Sequence, residues 1–225
     1  MKLKEIYELF ERTGCVTLNT VSGGEPHPRI IHLNGCDDEG IYFRTMISKP
    51  FYRHLMENPS LSLCGIYPNG MAQLDEESGS PYFEPGYFIR LIGEARTVSP
   101  DVITEKGKTD LRFKTAAHDL TAYPAMINFV IHRARGEVFD YDFEKQGRDH
   151  KILRTRFSFG GEEPTVAGCR ITDKCTACGK CRKNCTFKAI EKRGDRYQII
   201  PERCDACGTC FKGCPVQAIE PANNL

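Results

Sequence analysis

Eight of the twelve cysteines in this chain fall into two copies of one spacing, and that pattern limits what the surrounding segment can fold into. Cys175, Cys178, Cys181 and Cys185 read C-x2-C-x2-C-x3-C; Cys204, Cys207, Cys210 and Cys214 repeat it, with Pro215 directly after the last. Three thiolates from one short loop can cap a cubic iron-sulfur cluster, and the fourth ligand must arrive from a distance. In this spacing the fourth cysteine of each run serves the other cluster. Cys175, Cys178, Cys181 and Cys214 are therefore assigned to one 4Fe-4S cluster, and Cys204, Cys207, Cys210 and Cys185 to a second. Each run then ties down the opposite half of the segment.

The flanks of the two runs support a duplicated unit. Residues 175–190 and 204–219 coincide beyond their cysteines at Ala177/Ala206, Gly179/Gly208, Lys183/Lys212, Ala189/Ala218 and Ile190/Ile219. Glycine between the second and third ligands lets the backbone curl with positive φ and aim N–H groups at sulfur. The Ala-Ile pairs supply an apolar wall. Thr186 stands where the second run has proline, which removes no ligand. Two other readings compete. A disulfide framework suits an oxidising compartment, but no apolar leader is visible and a chain of this size can bury a core without staples. Zinc usually closes with four ligands from two C-x2-C pairs, whereas each run here offers a third and a fourth cysteine. Residues 169–221 resemble a two-cluster bacterial ferredoxin domain, which implies a small βαββαβ-like unit and low-potential, one-electron transfer.

The chain has 225 residues, so about 165 remain for one further domain of ordinary size. An apolar content of 40% suffices for a core, and the net charge of +1 argues against a protein that coats nucleic acid. No apolar run approaches the ~20 residues that span a bilayer, so no membrane is expected and the cytoplasm is the default location. Residues 169–225 carry 11 Lys and Arg against 6 Asp and Glu. Two clusters at about −2 each would nearly cancel that excess, so Arg182, Lys183, Lys188, Lys192, Arg193 and Lys212 read as compensation before they read as a docking patch for an acidic redox partner.

Upstream, Leu3, Ile6, Tyr7, Leu9 and Phe10 recur at helical spacing from Lys2 to Arg12, with Gly14 suited to the end. Strands are expected at 15–21, 29–33, 40–44, 60–66, 87–98, 128–142 and 151–159, and helices at 50–58 and 101–114. Residues 34–39 and 67–85 read as loops, and Gly93 marks a bulge or a close backbone approach. These short strands at meander spacing suggest a small barrel.

No G-x-G-x-x-G or G-x4-G-K-[ST] motif occurs, so a phosphate-bearing cofactor would need another cradle. The candidate is the junction from Tyr42 to Pro50, where a strand delivers Arg44 and Thr45, a turn presents Ser48 and Lys49, and a helix N-terminus follows. The same pattern is what an ordinary capped, solvated helix start looks like. Residues 1 to about 160 resemble the FMN-binding split-barrel family related to pyridoxamine 5'-phosphate oxidase, especially its small anaerobe-type members. The resemblance is carried by the opening helix, Pro26-His27-Pro28-Arg29, Tyr42-Phe43-Arg44-Thr45 to Lys49-Pro50, Asn58-Pro59 and Ile89-Arg90-Leu91-Ile92-Gly93, with 67–85 as the main departure. It implies FMN at the interface of a homodimer. Arg29 would reach the ring edge or phosphate, Arg44, Thr45, Ser48 and Lys49 would bind phosphate and ribityl groups, and Arg90 is a more distant candidate. No equivalent of the pyridoxamine-phosphate pocket is recognisable.

His27 shares a strand face with Arg29 by period-2 counting, and His32 does not; strand histidines satisfied by neighbours are the simpler reading than proton donors. Cys15, Cys36 and Cys64 read as small core residues, and Cys169 lies near the first run although both clusters are complete without it. The expected architecture is mainly β with helices: an FMN-binding split barrel at 1–160, a linker at 161–168, and a small α+β ferredoxin-like domain at 169–225. The expected activity is an FMN and iron-sulfur oxidoreductase that reduces a small acceptor with electrons from a ferredoxin-like protein or NAD(P)H. The alternative is an electron-transfer adapter between protein partners, with no small-molecule substrate of its own.

Overall fold

The computed structural model describes residues 1–68, 72–79, 81–142, 152–166 and 168–222. Parts of three expected segments, the loop at 67–85, the strand from 151 and the linker at 161–168, fall outside those residues. The chain divides into two compact units. One comprises Met1–Tyr67, Phe88–Gly136 and Phe157–Glu163; the other comprises Pro68–Tyr87, Glu137–Arg156 and Pro164–Leu225.

The chain opens with α1 (Leu3–Arg12), where Glu5 accepts from the Lys2 backbone N–H at 2.7 Å and the Ile6, Tyr7 and Phe10 side chains are buried. Then come β1 (Val16–Ser22), β2 (Glu25–Ile31), β3 (Gly35–Asp37), β4 (Gly40–Met46), α2 (Pro50–Glu57) and β5 (Ser60–Tyr67). The short pair β6 (Ala72–Leu74) and β7 (Pro81–Phe83) precedes β8 (Tyr87–Val98), α3 (Pro100–Thr109), α4 (Leu111–Ala122), β9 (Met126–Asp140) and β10 (Leu153–Phe159). One eight-stranded sheet runs β2-β1-β5-β8-β9-β4-β3, with β10 also pairing β9. The architecture is mainly β with helices, consistent with a split barrel followed by a small C-terminal domain.

The core of the first unit holds Leu18, Ile41, Phe43, Leu63, Ile89, Leu91, Phe129 and Ile131, none more than 1% exposed. Each such side chain contributes about 1.5–3 kcal/mol by leaving water. Two strand glycines are where backbones come too close for a side chain. A Cβ on Gly93 would sit 2.4 Å from the Arg133 carbonyl oxygen, and one on Gly40, at φ +151°, would sit 2.0 Å from that of Ile131.

The structure departs from the sequence reading in four places. Pairing of β1 with β2 begins at Ser22 opposite Glu25, so the second strand starts four residues before the expected Arg29. The expected loops at 34–39 and 67–85 contain β3 and the β6–β7 hairpin. The single helix expected at 101–114 is two helices, because Asp110 is extended and its side chain accepts from the Arg112 N–H, starting α4. That helix buries Phe113 and Ala116 against Tyr42, Ile103 and Val130. Finally, Cys36 is buried but Cys15 and Cys64 are exposed: Leu61 and Leu63 take the inward positions of β5, so alternation turns Cys64 outward.

The cysteine-rich part of the second unit contains β11 (Cys169–Ile171), α5 (Lys180–Lys183), β12 (Ile190–Arg193), β13 (Arg196–Ile199), α6 (Thr209–Lys212) and β14 (Ile219–Pro221). β11 pairs antiparallel with β14, and β12 with β13. Ala189, Ile190, Ala218 and Ile219 are 1–3% exposed and form its apolar centre.

Candidate cofactor sites

Two cavities in the second unit gather the eight cysteines of the repeats. One is lined by Cys175, Cys178, Cys181 and Cys214; the other is lined by Cys185, Cys204, Cys207 and Cys210. The fourth cysteine in each comes from the other run. The walls repeat as well: Gly179, Ala218 and Ile219 around the first cavity match Gly208, Ala189 and Ile190 around the second. Among the described residues, no three Cys, His, Asp or Glu side chains converge on a single-ion position; the thiols are distributed around each cavity.

The backbone at both cavities is shaped to serve sulfur. Gly179 and Gly208 cap α5 and α6 at φ +77° and +73°. Ala177, Lys188, Ala206 and Gln217 also have positive φ, between 51° and 59°. Left-handed backbone costs a non-glycine residue about 1–2 kcal/mol, and here it occurs at the same two places in each repeat. Ala177 and Ala206 donate N–H bonds to the sulfurs of Cys175 and Cys204 at 3.4 Å. Ala189 and Ala218 donate to Cys185 and Cys214 at 3.3 and 3.2 Å. Four N–H donors aimed at sulfur favour the thiolate over the thiol, which is the form that binds iron. Burial opposes ionisation, pushing the Cys204 thiol up and the Cys210 thiol up to about 12, so binding of a metal must displace protons there. The donor set and its soft sulfur ligands fit a 4Fe-4S cluster in each cavity.

In the first unit, the expected phosphate-site residues divide between two faces. The Arg29 guanidinium lies 4.2 Å from the centre of the Phe51 ring on the first turn of α2 and donates to the Thr20 hydroxyl at 3.2 Å. Thr20, 1% exposed, also meets His54 Nδ1 at 3.1 Å, and the His27 and His54 rings lie 4.4 Å apart. Burial, then the neighbouring His27 and Arg29, push His54 below the ordinary histidine value; burial likewise lowers Arg29. Phe43 stacks on Phe51 at 5.7 Å, so the face of β4 that carries Phe43 and Thr45 is the one turned toward α2. Ser48 and Lys49 are exposed at the start of α2, where Lys49 is the N-cap residue and Pro50 follows. Arg29, Ser48 and Lys49 thus lie around one helix N-terminus, where cations, a hydroxyl and backbone N–H groups suit a phosphate.

Arg44 is elsewhere. Adjacent strand residues point to opposite faces, and Arg44 shares its face with Tyr42, whose ring packs on Phe113 of α4. Its guanidinium is ion-paired with Asp119 of α4 at 2.5 Å, and its Nη1 is buried without a hydrogen-bond partner. Arg90 is exposed on β8. Sequence reasoning missed Thr20, Phe51 and His54. The β1–β2 register, which sets Thr20 opposite His27, points to Thr20 alone; Phe51 and His54 come from α2, which no strand pattern places. His32 is exposed beside the Cys15 sulfur at 3.5 Å, away from this cluster.

A family model described as pyridoxamine 5'-phosphate oxidase matches residues 3–138, and one described as 4Fe-4S dicluster domain matches residues 174–219. Among solved structures, a NimC/NimA family protein from Clostridium acetobutylicum aligns at 16% identity and a TM-score of 0.48, covering 70% of this chain and 92% of that one. A pyridoxamine 5'-phosphate oxidase-related, FMN-binding protein from Nostoc punctiforme aligns at 13% identity and 0.43, covering 72% and 94%. PhzG from Burkholderia lata, in complex with tetrahydrophenazine-1-carboxylic acid, aligns at 15% and 0.43, covering 71% and 83%. No curated protein is a significant match. No helix among the described residues is long and apolar enough to cross a membrane.

Proposed function

The chain belongs to the pyridoxamine 5'-phosphate oxidase family and carries a 4Fe-4S dicluster domain, and from that premise we propose that it is an FMN and iron-sulfur oxidoreductase. In this reading residues 1–160 bind FMN, 161–168 link, and 169–225 hold two 4Fe-4S clusters that relay electrons to or from the flavin, for reduction of a small acceptor. When bound, the clusters supply one-electron exchange, and the flavin converts between single electrons and a hydride.

The protein's own contribution is to hold and tune. Cys175, Cys178, Cys181 and Cys214 ligate one cluster; Cys204, Cys207, Cys210 and Cys185 ligate the other. The alanine N–H groups stabilise their anionic sulfurs and raise the reduction potential. Arg29, Lys49 and Ser48 neutralise and orient the FMN phosphate at the α2 N-terminus, with Thr45 on the neighbouring strand face. Arg44 leaves β4 on the opposite face, where it is paired with Asp119, and is not part of this group. The proposed assembly is a cytoplasmic homodimer, supported by apolar side chains left outward on strands: Ile30 at 75%, Ile92 at 59% and Phe88 at 44% exposure. Its electron donor is a ferredoxin-like protein or NAD(P)H.

The observation that supports this reading most is the crossed gathering of cysteines, three from one run and one from the other, in each of two matching cavities. The test is anaerobic purification with assays for iron, labile sulfide and FMN, followed by titration with NADH and with dithionite. Iron and sulfide with one FMN per chain, and a reduced flavin that a small acceptor reoxidises, are the expected results. Colourless protein without iron or sulfide would overturn the reading. If dithionite reduces both kinds of centre, NADH does not, and no small acceptor reoxidises the flavin, the protein is an adapter between redox proteins.

A further inference from the structure

The two cysteine runs enter their cavities by the same turn, but only one of the turns has cations built onto it. The Cys175 N–H donates to the Thr172 carbonyl at 3.1 Å, and the Cys204 N–H donates to the Pro201 carbonyl at 3.2 Å, three residues back in both repeats. In the first repeat the ion pair beside that turn, Asp173 with Arg196, is on the surface, its side chains 93% and 55% exposed. In the second, two arginines of β10 that belong to the same compact unit, Arg154 and Arg156, bond to the turn and to the run itself.

The charge of Arg154 is met twice. Its guanidinium donates to Glu137 at 2.8 Å and to Asp205 at 3.4 Å, and lies 4.8 Å from the centre of the Phe139 ring. Asp205 follows Cys204 and lines the cavity of Cys185, Cys204, Cys207 and Cys210, where the other cavity has the uncharged Thr176. Arg156, two residues on and so on the same strand face, is different. It is half-buried, its Nη1 donates to the Pro201 carbonyl at 3.2 Å, and its Nε is buried without a hydrogen-bond partner. Among the described residues no carboxylate lies within ion-pair distance of it. A cation drawn out of water without a counter-ion is unfavourable. The Pro201 carbonyl accepts from both Arg156 and Cys204, so this cation stands two hydrogen bonds from a ligand of one cavity.

We propose that the counter-charge of Arg156 is the cluster held by Cys185, Cys204, Cys207 and Cys210, and that this guanidinium makes that cluster the easier of the two to reduce. A reduced cluster carries one more negative charge than an oxidised one, and a fixed cation nearby favours it. Arg154 acts as a positioning residue: Glu137 and Asp205 neutralise it, and it ties the start of the run to β9. The role is specific to one cluster, because the matching turn at Thr172 has only the solvated Asp173–Arg196 pair beside it. This rests on the two-cluster reading above.

The test uses full-length protein purified anaerobically, with iron counted and reduction potentials read by redox titration under electron paramagnetic resonance. Arg156→Gln keeps an N–H for the Pro201 carbonyl and removes the charge. With all eight ligands in place it should lower one of the two one-electron steps, by about tenfold in the reduction equilibrium or ~59 mV, and leave the other unmoved. Cys214→Ser, which leaves only the cluster of Cys185, Cys204, Cys207 and Cys210, should keep that shift, and Cys185→Ser, which leaves only the other, should abolish it. Arg156→Lys, which keeps the charge, should restore most of the potential. Full iron with no movement, equal movement of both steps, or a lysine variant shifted as far as the glutamine one overturns the proposal. So does an Arg156→Gln protein that holds half the iron, because Arg156 would then hold the run in place rather than set its potential. Wild-type protein without iron overturns the underlying two-cluster reading instead, and this proposal with it.

Discussion

Replacing Cys185 by serine separates crossed from uncrossed ligation. The Cys185 sulfur lines one cavity with Cys204, Cys207 and Cys210, while Cys175, Cys178 and Cys181 of its own run line the other with Cys214. A serine hydroxyl is harder and far less acidic than a thiol, so it is a poor substitute on iron. Iron should fall from about eight to about four atoms per chain, one cube of two. The thiols released should be those of the opposite run. Their exposure sets the alkylation pattern: Cys207 is exposed and Cys210 half-buried, while Cys204 is only 8% exposed. Cluster-loaded wild type should label at the two exposed cysteines outside the repeats, Cys15 and Cys64. The variant should add Cys207 and then Cys210, doubling the rapid label, with Cys204 following slowly. Anaerobic treatment with iodoacetamide, peptide mass spectrometry and a parallel iron assay read both quantities. New label at Cys178 and Cys181, with Cys207 and Cys210 still protected, would mean that each run closes its own cluster and would refute the crossed reasoning. Unchanged iron would remove Cys185 from the ligand set.

Three further outcomes test other parts of the molecule. Arg29→Ala and Lys49→Ala should each weaken FMN binding, measured by flavin fluorescence quenching, about tenfold to a hundredfold, the scale of one charge-assisted hydrogen bond of about 1.5–3 kcal/mol; equal affinity in both variants would remove phosphate from this corner. Glu137→Leu leaves Arg154, 12% exposed, without its 2.8 Å partner and with Asp205 at 3.4 Å; it should cost about 3 kcal/mol in urea unfolding, and a loss under ~1 kcal/mol would show the pair to be solvated. Burial holds His54 neutral, with its folded pKa below the unfolded value of about 6.5, so the unfolded chain binds more protons as pH drops through that value. Stability should therefore fall from about pH 7 down to the folded pKa and stop falling below it. His54→Gln, which keeps a partner for Thr20, should flatten that part of a urea-midpoint profile, and an unaltered slope would assign the pH dependence to other groups.

What could be read from the sequence, and what could not, follows from where each constraint resides. The cysteine runs were legible because cluster chemistry dictates their spacing, and their repeat carries the walls with it: Gly179/Gly208 and the Ala-Ile pairs occupy matching places around matching cavities. The β strands were legible wherever one face is buried, as in β8, whose burial alternates from Tyr87 to Arg90. α4 was not, because it is mostly polar, with Phe113 and Ala116 as its only buried residues, and because Asp110 resembles an ordinary helical position until its side chain is seen to cap the next helix. Thr20, Arg29, Phe51 and His54 come together from β1, β2 and α2, and no local pattern encodes that meeting.

Arg44 makes a sharper case. Its opposition to Thr45 follows from strand periodicity alone, so the two side chains leave β4 on opposite faces, one of them toward α4. Asp119 decides which: its carboxylate 2.5 Å away draws Arg44 toward α4, while Phe43 stacks on Phe51 and keeps the Thr45 face beside α2. The cation that rests against the first turn of α2 is instead Arg29, which comes from β2. Its planar guanidinium rests on Phe51 at the first turn of the helix, which fixes the charge before any ligand arrives and lowers the entropy that binding must overcome.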